Sequence, residues 1–460
     1  MPARPGIMYG GPTVRYEAES GEMSIAVAGD TIATRRWTMF REERFLKIRE
    51  ILTGVDAAFA NLETNIHKFL DGGHKPHEGG GTYLTTEPEI LEDLKWLGIN
   101  IMACGSSHAD DYGPDTILKT IDYLDAAGIA HAGSGRHLAE ARAPGFLETP
   151  RGRVGLVAAV EGRDSRAGEQ RRDTFGYPGT NGIRYREIYE VDEPTFEALR
   201  RAGRELGWDL QRGRGGSAAP HGDGKTYNFL GLNVSLGKGF ESHTTANKSD
   251  VEENLRQIRF AKEFADRVIA SLHCHQQGGP TYKTAEKRSG VEDLAEFAVD
   301  YAHQCIDAGT DIFAGHGPQC QLGIEIYKGR PIFYGLGCFF HQLETLEFLP
   351  YEAYERYGLD DHATAFDFIN ARYKGGTAGH PADPLQWEQA FAVCDFDPSG
   401  LKEVRIYPIE LGYGKPRTMR GRPLLAEPEA AERIVSRIAD ISKKYGTAVS
   451  YKDGIGVIRP

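Results

Sequence analysis

The sequence offers nothing with which to cross a bilayer. Its longest apolar stretches, such as Val154–Val160 and Ile332–Phe340, are short and interrupted by glycine, whereas a spanning helix takes roughly 20 apolar residues. Cysteine is scarce: the 6 present, Cys104, Cys274, Cys305, Cys320, Cys338 and Cys394, form no CxxC pair and no dense framework. That excludes a disulfide scaffold and suits reduced thiols. A surplus of positive charge is missing too, with Lys+Arg 54 against Asp+Glu 66 and a net charge of −12. Coating phosphate backbones takes the opposite balance, so nucleic acid is not expected as a partner. The opening MPARPGIMYGGPTVRYEAESGE has no apolar core between a basic start and a small-residue cleavage site, and does not read as a secretory signal. These absences lead to the expectation of a cytoplasmic protein with no membrane span.

What is present is an ordinary globular balance, 40% hydrophobic and 26% charged. Glycine is abundant at 56 residues, and much of it ends short apolar runs. The patterning predicts strands over Ser24–Gly29, Ala57–Ala60, Ile99–Ala103, Ile129–Ala132, Val154–Val160, Arg267–Leu272 and Asp311–Ala314. Between them it predicts helices over Arg41–Leu52, Pro88–Leu97, Pro114–Ala127, Glu252–Ala265 and Val291–Ala308, with a last helix over Pro428–Lys444. Two hairpins follow, Leu322–Tyr327 with Pro331–Gly335 and Ala390–Phe396 with Glu403–Ile409. Alternating strands and helices followed by hairpins define an α/β body with mixed sheets.

Two stretches break that rhythm. The segment 161–248 is polar, with one helix over Pro194–Leu206 and a glycine-rich tract, and 345–388 is rich in aromatic residues. The expected division is an N-terminal tail (1–22), a first half of the domain (23–160), a polar cap (161–248), a second half (249–344), an aromatic insertion (345–388) and a closing hairpin and helix (389–460). Long connections inside a compact domain tend to serve function, so both insertions are candidates to cover a site.

Metal-capable residues fall where strands have just ended: Asp30 after AVAG, Glu63 in FANLE, His108 in CGSSHADDYG, His273 in IASLHCH and His316 in FAGHGPQ. Ligands of α/β proteins gather at the carboxyl ends of strands, and imidazole with carboxylate suits a divalent Mn, Fe or Zn centre. Taken singly, each has a duller reading: a histidine near a strand end is more often structural, and an Asp after Gly is commonly a turn or cap. Asp110 and Asp111 are placed to orient His108 through its second ring nitrogen. Arg163 and Arg166 are candidate contacts for a substrate carboxylate or phosphate, although such a run is more often a solvated face. Tyr351, Tyr354 and Tyr357 have helical spacing and read as packing. A Cys274–His nucleophilic pair is a weaker alternative.

The order and wording of these motifs resemble the CapA family, the poly-γ-glutamate capsule-biosynthesis proteins, which have a calcineurin-like metallophosphoesterase fold. That family writes GD, NLE, NNHxxDYG, a histidine after an apolar strand, GHxPH and EvykgkpIfYSLGNF. This chain has GD, NLE, SHADDYG, SLHCH, AGHGPQ and IEIYKGRPIFYGLGCF, together with GIAHAGSGRHLAEARAP at Gly128–Pro144. The resemblance implies a sandwich of two mixed β-sheets flanked by helices, with a metal centre at the strand ends. It implies Asp30, Glu63, His273 and His316 as metal residues and His108 as the group acting on substrate or leaving group, with Asp111 in the DYG position.

The departures are as telling. Ser107 stands where the family has Asn, Gln319 where it has the last His of GHxPH, and Cys338 where it has the Asn of SLGNF. His275 and His341 are additional histidines able to restore ligands, and Asn61, in NLE, is a further candidate contact. The resemblance implies a metal-dependent hydrolase holding one or two divalent ions and attacking a γ-glutamyl-type or other small carboxylated amide through metal-activated water. Alternatives are a phosphoesterase, a catalytically altered binding protein of polymer or envelope synthesis, and a mononuclear iron redox enzyme. A homo-oligomer is compatible with all of them.

Overall fold

Alternating side chains give each central strand two apolar faces, and the fold buries both. In a computed structural model that describes residues 21–71, 73, 82–162, 165–209, 225–276 and 294–460, two large sheets lie face to face. The first runs in the order 450–452, 455–458, 400–410, 388–397, 23–32, 57–62, 101–103 and 130–132; Cys338–His341 also pairs with Met23–Ile32, and Leu424–Leu425 with Gly400–Glu410. The second runs 182–183, 152–161, 267–273, 312–316, 330–333 and 324–327, with Gly145–Thr149 paired to Gly152–Glu161.

Ile25, Val27, Phe59 and Ile101 of the first sheet meet Val154, Leu156, Ile269 and Ile312 of the second in one buried cluster. The alternate residues Ala26, Ala28, Ala58 and Ala60 face outward onto helices Glu43–Thr53 and Ile90–Leu97 through Phe45, Ile48, Leu94 and Leu97. On the other side Val157, Ala159, Val268 and Ala270 pack on helices Lys248–Phe264 and Glu296–Ala308. The result is the expected two-sheet, metallophosphoesterase-like sandwich between helical layers. A fully buried Ile or Phe contributes roughly 1.5–3 kcal/mol, so the three clusters carry most of the cohesion.

The predicted elements recur with ends shifted by a few residues. Helix Pro114–Ala127 has the expected bounds, opening at a proline and stopping at the left-handed Gly128. Both hairpins form: Ile324–Tyr327 pairs antiparallel with Arg330–Phe333, and Glu388–Asp397 with Gly400–Glu410. The helix predicted from Val291 begins at Glu296, and residues 291–293 lie outside the described residues, as do the tail 1–20 and the glycine-rich tract. Among the described residues no helix is long and apolar enough to cross a membrane.

The polar stretch after Glu161 holds more order than the patterning indicates. Strands Tyr185–Val191, Thr226–Phe229, Leu232–Leu236 and Glu241–Ala246 make a separate four-stranded sheet against helix Glu193–Glu205. This stretch is fastened to the sandwich by charge. Asp250, 1% exposed in the first turn of helix Lys248–Phe264, takes Arg142 Nη2 at 2.8 Å, Arg166 Nη2 at 3.3 Å and Arg184 Nε at 2.7 Å. In the aromatic stretch, helices Tyr351–Arg356 and Ala365–Arg372 pack over Ile32, Leu84 and Tyr112. Tyr354 and Tyr357 lie against Phe368, the packing role their spacing indicates, whereas Tyr351, in the first turn of its short helix, is exposed and does not share it.

Candidate metal centre

Backbone geometry brings the strand ends together. Met23–Ile32 lies between Ala57–Leu62 and Cys338–His341, so Asp30 has Asn61 on one side and Cys338 on the other. In the second sheet His273 is in register with His316. Two glycines permit the closeness. A Cβ on Gly29 would lie 1.9 Å from the Gly337 carbonyl oxygen, the oxygen that accepts the Asp30 N–H at 2.7 Å. Gly317, at φ +115, donates its N–H to Asp30 Oδ2 at 3.2 Å while a Cβ there would strike the Cys274 backbone. The glycines of GD and AGHG are therefore conditions of the site.

Asp30, Asn61, Glu63 and His273 are fully buried. Asn61 Nδ2 donates to Asp30 Oδ1 at 2.8 Å, and His273 Nδ1 lies 3.7 Å from that oxygen. On its other edge His273 Nε2 faces Glu63 Oε1 at 3.8 Å, Ser107 Oγ at 3.2 Å and His275 Nε2 at 3.1 Å. Ser107 Oγ is itself 3.1 Å from His275 Nε2. Ligand atoms of Glu63, His273 and His275 all lie within 4.8 Å of one another. Ser107 and His275 are exposed, forming the mouth above a buried floor.

His108 stands at the rim. Successive turns in 106–113 place Asp111 beneath it, and its Nδ1 lies 2.8 Å from Asp111 Oδ2, which also accepts the Leu84 N–H at 2.6 Å. A carboxylate only accepts, so Nδ1 carries the proton and Nε2 is presented toward Glu63 Oε1, 4.0 Å away. Gln319, at a left-handed φ of 58, aims Nε2 at Glu63 Oε1 from 3.5 Å. Cys338 is fully buried; burial, then the charges of Asp30 and Glu63, pushes its thiol up and keeps it protonated.

Electrostatically the floor is unbalanced. Burial lifts the Asp30 carboxyl to about 6, against hydrogen bonds that pull it down. Burial, then the neighbouring Asp30 charge, lifts Glu63 well above the usual range. Burial lowers His316 to about 3, and burial with the nearby His275, His316 and His108 holds His273 far below its ordinary value. The imidazoles are thus neutral, the form that ligates metal. Among the described residues, buried Asn61 Oδ1, Glu63 Oε2 and His316 Nδ1 find no hydrogen-bond partner. Each such atom costs about 1–3 kcal/mol, a cost that a cation placed among them would offset. The donors present therefore fit a divalent ion of the Zn, Mn or Fe type.

Of the remaining candidates His316 adjoins the floor, while His341, Arg166 and Cys274 are engaged elsewhere. His316 is beside His273, but its Nε2 is engaged with Ser271 Oγ at 3.0 Å, leaving Nδ1 as its open donor. The ring of His341 packs on His380 and Trp387, with centroids 4.8 and 5.2 Å away. Arg166 is engaged with Asp250 and does not join the cluster, and Arg163 lies outside the described residues. Cys274 donates to Glu161 Oε2 at 3.0 Å instead of pairing with a histidine. Glu161, read from the sequence as no more than the start of the cap, holds the turn that carries His275; the signal was absent because its partners include backbone N–H groups more than a hundred residues away.

A two-sheet sandwich with carboxylates and imidazoles at its strand ends defines the metallophosphoesterase-like class. Within it, the chain matches the family described as Bacterial capsule synthesis protein PGA_cap over residues 24–342, and it belongs to that family. It is 33% identical over 449 residues to the uncharacterized protein y4sH of Sinorhizobium fredii, covering 95% of this chain and 93% of that one. A probable polyglutamine synthesis accessory protein of Mycobacterium tuberculosis is 24% identical over 288 residues, 62% of this chain and 55% of its own. A stretch of 120 residues, 25% of this chain, is 31% identical to 28% of the PGA biosynthesis protein CapA of Bacillus subtilis.

Proposed function

We propose that the chain is a metal-dependent hydrolase of an amide bond in a carboxylated, γ-glutamyl-type substrate. The observation that carries this reading is the convergence of Glu63, His273 and His275 within 4.8 Å beside the buried Asp30. A capsule-synthesis family and a relative named for polyglutamine synthesis favour an amide-linked substrate. Asp30, Glu63, His273 and His275 would hold the ion, with Asn61 and His316 as further donors. A divalent ion supplies Lewis-acid activation of water and of the bond under attack.

The chain's own groups do the rest. Asp111 fixes the His108 ring and keeps the proton on Nδ1. His108 Nε2, at the rim, takes the proton released by the attacking water and passes it to the departing amine, which returns the ring to its neutral Nδ1–H form. Ser107 Oγ orients both imidazoles at the mouth. With His108→Ala, kcat should fall roughly 10²–10⁴-fold, the usual worth of general acid catalysis, while the metal content of the purified protein stays at the wild-type level. Loss of metal in parallel with activity would move His108 from proton transfer to ligation.

The direct test is removal of metal. Dialysis against a strong chelator should abolish hydrolysis of γ-glutamyl p-nitroanilide, and Mn, Fe or Zn should restore it. Undiminished turnover by metal-free protein overturns the proposal. Metal-dependent cleavage of bis(p-nitrophenyl) phosphate with none of the amide would transfer the reading to a phosphoesterase.

A further inference from the structure

Glu161 ends the strand Gly152–Glu161, next to the strand that ends at His273. Its carboxylate is given over to the turn beyond that neighbour. Oε1 accepts the His275 N–H at 2.7 Å, and Oε2 accepts the Gln276 N–H at 2.9 Å and the Cys274 thiol at 3.0 Å. One side chain therefore grips three consecutive residues. The same turn is held from the insertion: Tyr185 OH donates to Gln276 Oε1 at 2.8 Å, and Gln276 Nε2 donates to Glu187 Oε1 at 3.0 Å.

The object of this bracing is an exposed histidine just past a strand end, a position that ordinarily leaves a side chain free to swing. His275 instead stands edge-on to His273, ring centroids 4.9 Å apart at 74°, with Nε2 directed at His273 Nε2 and Ser107 Oγ. A ligand's orientation is set by the groups behind it as much as by the ion in front.

We propose that Glu161 is the positioning residue that makes His275 a ligand of the centre, acting by its clamp on the turn 274–276. This rests on the reading of the centre as a metal site. Glu161→Gln keeps the shape but replaces one acceptor oxygen with an NH₂ facing a donor, and so loosens the turn.

The test is a double-mutant cycle on the full chain: wild type, Glu161→Gln, His275→Ala and the double variant, titrated with Zn²⁺ against a chelating dye. Partners that brace metal ligands from behind are worth about 10–100-fold in affinity. Glu161→Gln should therefore weaken Zn²⁺ binding about tenfold or more beside His275, and less than about twofold in the His275→Ala background. The Co²⁺ absorption spectrum of Glu161→Gln should shift toward that of His275→Ala. Equal losses in both backgrounds, or no loss, overturn the inference, because a merely structural role does not depend on His275. If Glu161→Gln does not fold, Glu161→Asp, which keeps both oxygens but withdraws them by one methylene, enters the same cycle, and the same pattern of losses supports or overturns the inference. A wild-type chain that takes up no Zn²⁺ or Mn²⁺ overturns the metal-centre reading itself, a result distinct from an intact centre indifferent to Glu161.

Discussion

Glu63→Gln should make the metal-free protein more stable and the metal-loaded protein useless. Glu63 is fully buried beside Asp30, its carboxyl shares a hydrogen bond with Asp30 that requires a proton between them, and its Oε1 receives a long 3.5 Å contact from Gln319. A glutamine amide N–H can take the place of the carboxyl proton facing Asp30, so the substitution sacrifices little hydrogen bonding while removing the need to protonate a buried carboxylate next to a like one. The penalty it removes cannot exceed the cost of protonating a glutamate at pH 7, about 4 kcal/mol, and a gain of about 1–3 kcal/mol is expected.

The sign with pH follows from linkage. Glu63 and Asp30 have folded-state values raised above their unfolded ones, so between the two values the native state holds more protons than the unfolded state. Wild-type stability without metal accordingly falls as pH rises from about 4 through 6 and beyond, and the advantage of Glu63→Gln widens over the same range. Denaturant unfolding in chelator at pH 5 and pH 8 measures both. With saturating metal the order should invert, because an ion that binds only the native state stabilises the wild type. Affinity for metal should drop at least about a hundredfold in the variant, beyond the 10–100-fold losses that follow when only a group behind a ligand is removed. A Glu63→Gln protein less stable than wild type in chelator at pH 8 would mean that the floor is not held against charge repulsion.

The second large effect lies outside the centre. Asp250→Asn should destabilise the fold by about 3–5 kcal/mol, because it leaves Arg142, Arg166 and Arg184 facing one another around a neutral amide. Burial pushes the Asp250 carboxyl up, but hydrogen bonds from Arg184 and the charges of Arg166 and Arg184 outweigh it and hold the group below its ordinary value. A depressed folded-state value contributes stability above the unfolded value that is lost as pH falls through the folded one. The difference between Asp250→Asn and wild type should thus be full at pH 7 and shrink below about pH 4, read from urea midpoints. A variant within about 1 kcal/mol of wild type at pH 7 would show that the cluster is not what fastens the 161–248 stretch.

The sandwich was legible because buried strands and amphipathic helices write strong periodicities, as in SIAVAG and Pro114–Ala127. The small sheet of Tyr185–Ala246 was not, because its strands are half exposed and its apolar contacts few, among them Val191, Tyr227 and Val234. Asp30, Glu63 and His273 stood out as donors at strand ends, where position alone carries information. The pairing of Ser107 with His275 was open from sequence: residues 168 apart in the chain meet only once the two sheets close. Glu161 left no trace, since backbone N–H groups have no sequence signature.

The donors of the centre come from both sheets, Asp30 and Glu63 from one and His273 from the other, and the strand bearing Asp30 also pairs with Glu388–Asp397. Most of the 460 residues must therefore leave the ribosome before the strand bearing Asp30 has all its neighbours. On the metal-site reading, cation capture would follow the meeting of the two sheets and could not template the first half alone, because the carboxylates of Asp30 and Glu63 wait for His273 and His275, translated well after them.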